Sequence, residues 1–318
     1  MTSRAPIESY VAVTQVPTLG PDTYVNERSV TSSYSDSPKA REPGLPLAEQ
    51  DGRGSVFGGL LVAQAISAAS ATADPDFYAY TSSSSFIRPV VQTKVKYHVE
   101  RVSDGRSYAT RIVRASASVG NTDAVVVYVA TISFQRRQES TASRALTYAE
   151  LPPDLGGLKP EDIAQGSGRQ QVENHRTGSL QPFTPEDEPF DWRPAAMELG
   201  DLPSSARTAG FSRSVTPLSG GCTTATNLAG LAYMSDEMLL EGTGPKSRNV
   251  AMAVTLNHHL WFHDPGARVD RWMVGERRTS SGADGRVLIH QKVWDHETGR
   301  LVMTCAQDAL IRLKGPSL

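Results

Sequence analysis

Hydrophobic and polar positions along this chain fall into one order of patterns, and that order occurs twice. The first pass opens at Ser55-Val-Phe-Gly-Gly-Leu-Leu-Val-Ala-Gln-Ala-Ile-Ser-Ala-Ala-Ser70, a stretch that is alanine-rich and apolar on most sides. It predicts a buried helix with Gly58-Gly59 at its N-terminal turn. Strand-like segments follow over 84–90, 94–102, 106–117 and 124–134, with Asp104-Gly105 as a hairpin turn and Gly120-Asn121 as a second. The second pass opens at Gly220-Gly-Cys-Thr-Thr-Ala-Thr-Asn-Leu-Ala-Gly-Leu-Ala-Tyr-Met-Ser-Asp236. There Leu228, Leu231 and Ala232 share a helical face, and Asp236 stands one turn beyond Ala232. Strands are then predicted over 254–265, 272–279, 286–294 and 301–312. The prolines that close Ser85-Phe-Ile-Arg-Pro89 and Val254–Pro265 lie 176 residues apart, which marks the chain as internally duplicated.

A helix that is apolar all round needs cover on several sides, and a curled antiparallel sheet supplies it. The expected fold is therefore α+β: two helix-plus-antiparallel-sheet halves forming a pseudo-dimer, with the sheets continuous or side by side and the helices on their concave faces. Outside the repeats, residues 1–50 are rich in Pro, Ser and Gly and read as an N-terminal surface arm with Tyr10-Val-Ala-Val as its only strand-like piece. The first half spans 51–136. Residues 137–189 read as a linker with little regular structure, and the second half runs from Phe190 to the end of the chain.

Composition narrows the function. The 318 residues carry 32 basic and 34 acidic side chains, a net charge of −2, so nothing in the balance points to nucleic acid or an acidic membrane surface. Two cysteines, Cys222 and Cys305, make neither a disulfide framework nor a zinc site and suggest a reducing compartment. No window approaches the ~18 apolar residues of a membrane span, and the first residues lack a signal-peptide core. A cytoplasmic protein is expected. The peroxisomal alternative rests on Gly315-Pro-Ser-Leu318, which shares only Ser-Leu with the Ser-Lys-Leu signal.

Three polar residues interrupt apolar sequence: Asp236 at a predicted helix end, Thr255 inside one strand and Gln307 inside another. Each has an ordinary reading, as a solvated cap, a strand threonine or an edge-strand glutamine, and only the fold can bring them together. Gly58-Gly59 fits close packing as well as a cradle of backbone N–H groups for a carbonyl oxygen or a phosphate. His258, His259 and His263 have no partners at zinc-site spacing and read as structural. The Arg277-Arg278 pair reads as solvated surface in preference to a phosphate contact, and Cys305, with no base beside it in sequence, reads as a buried thiol. No Gly-x-Ser-x-Gly elbow supports a nucleophilic serine.

With those residues in view, the chain resembles the acyl-CoA thioesterase II family, whose members have a double hotdog fold. The resemblance rests on Val56-Phe-Gly-Gly-Leu-Leu-Val-Ala-Gln-Ala65, Phe86-Ile-Arg-Pro89, Leu231-Ala-Tyr-Met-Ser-Asp236 with Thr255-Leu-Asn-His-His-Leu-Trp-Phe-His263, and Thr304-Cys-Ala-Gln-Asp-Ala-Leu-Ile-Arg312. It covers both halves in order from about residue 50 to 313. It implies that Asp236, Thr255 and Gln307 are the catalytic trio of a water-mediated thioester hydrolysis, with no metal, cofactor or covalent intermediate. Asp is expected to accept the proton, and Thr and Gln to align the water. A carboxylate at a helix C-terminus in apolar sequence is disfavoured as an anion, which would strengthen it as a base.

Three positions depart from the family pattern: Leu60 replaces a glutamine, Tyr80-Thr-Ser-Ser-Ser84 replaces a His-Ser-x-x-Ser run, and Asn257-His-His259 replaces Asp-His-Ser. They bear on the substrate. The expected ligand is an acyl-CoA or related acyl thioester, with Gly58 and Gly59 contributing to oxyanion or substrate binding. Homo-oligomer formation stays open, as do a carrier-linked acyl group of specialised metabolism and a non-catalytic acyl binder. Applying the 176-residue offset uniformly maps Thr255 to Ala79 and Gln307 to Thr131, so one working site per chain is expected.

Overall fold

Both small-residue stretches form helices, and among the described residues twelve antiparallel strands form one sheet. The computed structural model describes residues 4–28, 56–90, 94–118, 123–137, 146, 148–166, 189–198, 202–236 and 250–313. Its helices are α1 (Pro6–Val11), α2 (Gly58–Ser70) and α3 (Thr224–Ser235). In the first half the strands are β1 (Val13–Gln15), β2 (Thr23–Asn26), β3 (Phe77–Phe86), β4 (Lys96–Asp104), β5 (Tyr108–Ala117) and β6 (Val125–Arg136). Those of the second half are β7 (Phe190–Glu198), β8 (Arg207–Ser214), β9 (Val250–Phe262), β10 (Met273–Ala283), β11 (Arg286–Asp295) and β12 (Leu301–Leu313). The sheet order β1-β2-β4-β5-β6-β3-β9-β12-β11-β10-β8-β7 reads the same from either edge once each strand is exchanged for its partner in the other half. The pseudo-twofold passes between β3 and β9, which pair with Ser83 opposite His259.

The duplication is visible down to single irregularities. A bulge skips Tyr80 in β3 and Leu256 in β9, 176 apart; another skips Val102 in β4 and Ser280 in β10, 178 apart; a third skips Val127 in β6 and Val302 in β12, 175 apart. Bulges bend a strand and change which face each later residue meets, so their repetition gives the two halves the same curl. They also correct the uniform offset. On β12 the shift is 175, so the counterpart of Gln307 is Ile132 and not Thr131, while Thr255 on β9 keeps Ala79 as its counterpart.

The helices pack against each other and against strands of the sheet. Every residue of α3 from Asn227 to Ser235 is buried, as are most of α2. The one polar side chain buried mid-helix in α2, Gln64, is satisfied: it donates to the Tyr10 carbonyl (2.7 Å) and accepts from the Tyr97 hydroxyl (2.7 Å). Among the described residues no helix is long and apolar enough to cross a membrane.

Two sequence readings change. The expected surface arm is built into the fold over residues 4–28: α1 lies against α2 and α3, with Ile7 and Val11 buried, and β1 and β2 extend the sheet. Tyr10-Val-Ala-Val is split between α1 and β1 and is not one strand, since a six-residue helix is too short to show its period in sequence. Glu8 ties this segment to the second half, accepting from Ser219 Oγ (2.6 Å) and Ser219 N (3.1 Å). Burial opposes the charge on Glu8, but these bonds hold its carboxyl below the usual carboxylate range. The first strand after α2 runs over 77–86 and not 84–90. Ser82 and Ser84 are the inward residues there, so the hydrophobic alternation is missing, and Ile87 beyond it is exposed. Within the predicted linker, residues 148–166 contain only a short 3₁₀ turn at Pro160–Asp162 and lie on the second half. The Glu150 carbonyl accepts from Trp294 (2.8 Å), and the Ile163 carbonyl accepts from Arg193 (2.6 Å). Gly120-Asn121 and the C-terminal Pro316-Ser-Leu318 lie outside the described residues.

Candidate active site

Asp236 caps the C-terminus of α3 and is buried to 4% exposure. β9 and β12 are neighbours in the sheet, and they bring Thr255 and Gln307 to it. Thr255 Oγ1 donates to Asp236 Oδ1 at 2.8 Å, Gln307 Nε2 donates to Thr255 Oγ1 at 2.8 Å, and the same amide nitrogen donates to Asp236 Oδ1. The three residues that the sequence could only suspect separately therefore form one closed hydrogen-bonded set. Gln307 is 2% exposed, so water competes weakly for these bonds.

The other carboxylate oxygen faces the first half. A β-carbon placed on Gly58 would stand 2.5 Å from Asp236 Oδ2 and 3.0 Å from the Phe86 ring, and one on Gly59 would collide with the Tyr233 carbonyl oxygen. Glycine is required at both positions because the first turn of α2 is pressed against the last turn of α3. Phe57, which precedes that turn, packs edge-on against Tyr233 at 4.9 Å and offers no side-chain cap to the helix. The positive end of the α2 dipole thus lies against the carboxylate. The expectation drawn from α3 alone considered one helix end, whereas Asp236 lies between two of opposite sign.

Behind the trio lies a cluster that the sequence did not reveal. His258 is wholly buried, with Nε2 3.1 Å from Ser235 Oγ and 3.3 Å from Cys305 Sγ. Cys305, read as lacking a base, has one 47 residues away in sequence. The pair is nevertheless no nucleophilic dyad. Burial pushes the Cys305 thiol up and the His258 imidazole down to about 3, so both groups are neutral, the reverse of a thiolate–imidazolium pair. Since the Ser235 hydroxyl donates to the Ala232 carbonyl (2.7 Å), His258 Nε2–H serves as donor to Ser235 and fixes the residue that precedes Asp236.

The remaining sequence candidates separate. Arg277 is not solvated surface: the alternation of β10 turns it inward, 8% exposed, where it donates to the Met234 carbonyl (3.2 Å), while Arg278 turns outward. His263 bonds Thr304 (2.8 Å) near the surface. Among the described residues no group of three His, Cys, Asp or Glu side chains is placed to hold a metal. Of the three departures from the family pattern, Leu60 is buried in α2, Tyr80 packs edge-on against the exposed Tyr108, and Asn257 links Ser85 (2.8 Å) to Asp308 (3.3 Å). None of these contacts involves the trio.

Comparisons with known proteins bear on the family and the fold. Two family models match, the acyl-CoA thioesterase N-terminal domain over residues 48–135 and the acyl-CoA thioesterase C-terminal domain over 158–311. Among curated relatives, acyl-coenzyme A thioesterase 8 of Rattus norvegicus is 27% identical over 270 residues, 81% of each chain. Acyl-CoA thioesterase 2 of Haemophilus influenzae is 26% identical over 268 residues, 81% of this chain and 87% of its own. Among solved structures, the acyl-CoA thioesterase II TesB2 of Mycobacterium marinum superposes with a TM-score of 0.67 at 21% identity, covering 98% and 99% of the two chains. A hot dog fold protein of Alicyclobacillus acidocaldarius does so with a TM-score of 0.68 at 17% identity, covering 98% and 100%. The fold is the double hotdog.

Proposed function

From the premise that the chain belongs to the acyl-CoA thioesterase family and hydrolyses acyl-CoA thioesters, we propose that Asp236, Thr255 and Gln307 carry the reaction at one site per chain. The observation that supports this assignment is the closed set of bonds on Asp236 Oδ1, with Oδ2 facing the first turn of α2. In that arrangement Thr255 and Gln307 use their donors on the carboxylate and on each other. Their first effect is to fix the orientation of the base, and the Gln307 carbonyl oxygen is left to align the attacking water.

Asp236 takes a proton from water as the water oxygen attacks the thioester carbonyl carbon. The oxyanion that forms accepts from backbone N–H groups at Gly58 and Gly59, where the helix end favours negative charge. Collapse breaks the C–S bond, and CoA leaves as a thiolate, a better leaving group than an alkoxide because thiols ionise near pH ~8.5. Products are the free acid and CoA. No step needs a metal or a covalent enzyme intermediate. Both cysteines are unpaired, which fits a reducing compartment, and we read the protein as cytoplasmic. The experiment is thiol release from a panel of acyl-CoAs by the wild type and Asp236→Asn. Turnover that survives the substitution on the best substrate rules the assignment out.

A further inference from the structure

A cavity of about 250 Å³ opens against the last turn of α3, between it and strands β7, β8, β10 and β11. Gly275 keeps it open, since a β-carbon there would meet only the Gly210 carbonyl oxygen, 4.0 Å away. Two buried donors on its wall have no acceptor: Nε of Arg277 and Nε1 of Trp192, residues only 8% and 7% exposed. The Arg277 guanidinium donates to the Met234 carbonyl (3.2 Å) and, with the Gln291 amide turned to satisfy both its ends, to Gln291 (2.9 Å). Both acceptors are neutral. Arg111, the other buried arginine among the described residues, shows what a structural guanidinium looks like: Asp104, the Thr72 hydroxyl and three carbonyl oxygens satisfy it. Arg277 lacks that completion.

A buried cation with an orphan N–H beside a second orphan N–H is costly unless an anionic acceptor arrives, and a carboxylate matches the planar edge of a guanidinium. At ~30 Å³ per water-sized group the cavity holds on the order of eight non-hydrogen atoms, a carboxylate and a short run of methylenes. Its position ties it to the reaction. Gln291 donates to the Ser235 carbonyl (2.9 Å), so the cavity wall and the proposed base share one helix turn.

We propose that this cavity is a specificity pocket for acyl groups that end in a carboxylate, held by Arg277 and Trp192. The proposal rests on the hydrolase reading above and names the substrate class for that site. It is tested by comparing adipoyl-CoA with hexanoyl-CoA, equal in length and differing in the terminal group, and by titrating free adipate and hexanoate while following the part of the tryptophan fluorescence change that Trp192→Phe abolishes, since the chain carries four tryptophans. Charge-assisted bonds to one guanidinium predict about 10- to 100-fold higher kcat/KM for adipoyl-CoA. The ratio should fall toward one in Arg277→Gln and drop severalfold in Trp192→Phe. Equal kcat/KM for the two esters, or a preference that both variants keep, overturns the proposal. A response to free adipate without any preference for its CoA ester also overturns it, and makes the cavity a site for the free acid. If neither ester releases thiol but adipate still perturbs Trp192 in the wild type and not in Arg277→Gln, the hydrolase reading fails while the carboxylate pocket stands.

Discussion

The two halves place the same helix turn at pseudo-equivalent points and do opposite things with it. At the end of α3 the cap is Asp236, and at the end of α2 it is Ala71. Bulge-matched register sets Thr255 against Ala79, Gln307 against Ile132, His258 against Ser82 and Cys305 against Ala130. Each polar partner of the carboxylate has an apolar or small counterpart. The helix starts differ as well: α2 meets Asp236 with two glycines and no side-chain cap, whereas α3 begins with Thr223 accepting from Thr226 N (3.2 Å) and Thr224 bonded to Arg137. At the α2 end, Arg111 fans its donors over Thr72, Asp104 and neighbouring carbonyls. One copy of the turn is sewn shut for stability, and the other keeps a carboxylate, a tight backbone approach and an uncapped helix start. Duplication in one chain allows this because each copy is free to change while the shared sheet keeps both in place.

The comparison breaks most sharply at the carboxylate. Asp236→Asn keeps shape and removes the proposed proton acceptor, so kcat should fall by ~10²–10⁴-fold with little change in affinity, measured by steady-state thiol release. Gly58→Ala tests the approach of the two helices: its methyl would push Asp236 and Phe86 aside, and a displacement on the order of 1 Å is expected to lower kcat/KM by about 10²-fold. An unchanged rate would show that the contact is mere packing. Thr255→Val and Gln307→Ala should each cost less than Asp236→Asn, about 10-fold, because one donor still holds Oδ1. A loss equal to that of Asp236→Asn would mean that the pair acts as a single unit.

Stability sharpens the same contrast through His258. Folded His258 takes up a proton only near pH 3, whereas the unfolded chain takes it up near 6.5, so unfolding binds a proton between those values. Its contribution is intact above pH ~6.5 and is lost as pH falls toward 3, by about 1.4 kcal/mol per unit in denaturant titrations. His258→Asn should flatten that slope, and a slope unchanged by it would show that other groups govern the acid limb. The smallest effect is expected at the other copy. Ala79→Thr with Ile132→Gln should leave turnover within about twofold, since no carboxylate stands at Ala71. Titration with a non-hydrolysable acyl-CoA analogue should still count one tight site per chain, and two equivalent sites would end the distinction between the halves.

Sequence alone determined the local facts. Small-residue stretches predicted both buried helices, Asp104-Gly105 marked a true turn between β4 and β5, and alternation placed most of the second-half strands to within a few residues. At three scattered polar positions the residue types left ordinary readings open, and it was the family resemblance that singled out Asp236, Thr255 and Gln307 as candidates. What local pattern could not carry was anything made by distant segments. The bonds of the trio join residues 19, 52 and 71 apart, and they close only because β9 and β12 pair beneath the end of α3. The bulges that moved the counterpart of Gln307 from Thr131 to Ile132 are properties of strand pairs and are invisible in either strand alone. The packing of α1 against the other helices, the addition of β1 and β2 to the sheet, the neutral pairing of His258 with Cys305, and the unpartnered Nε of Arg277 arise for the same reason. Periodicity reports how a segment folds on itself, whereas charge state and satisfied hydrogen bonds depend on which segments the sheet brings together.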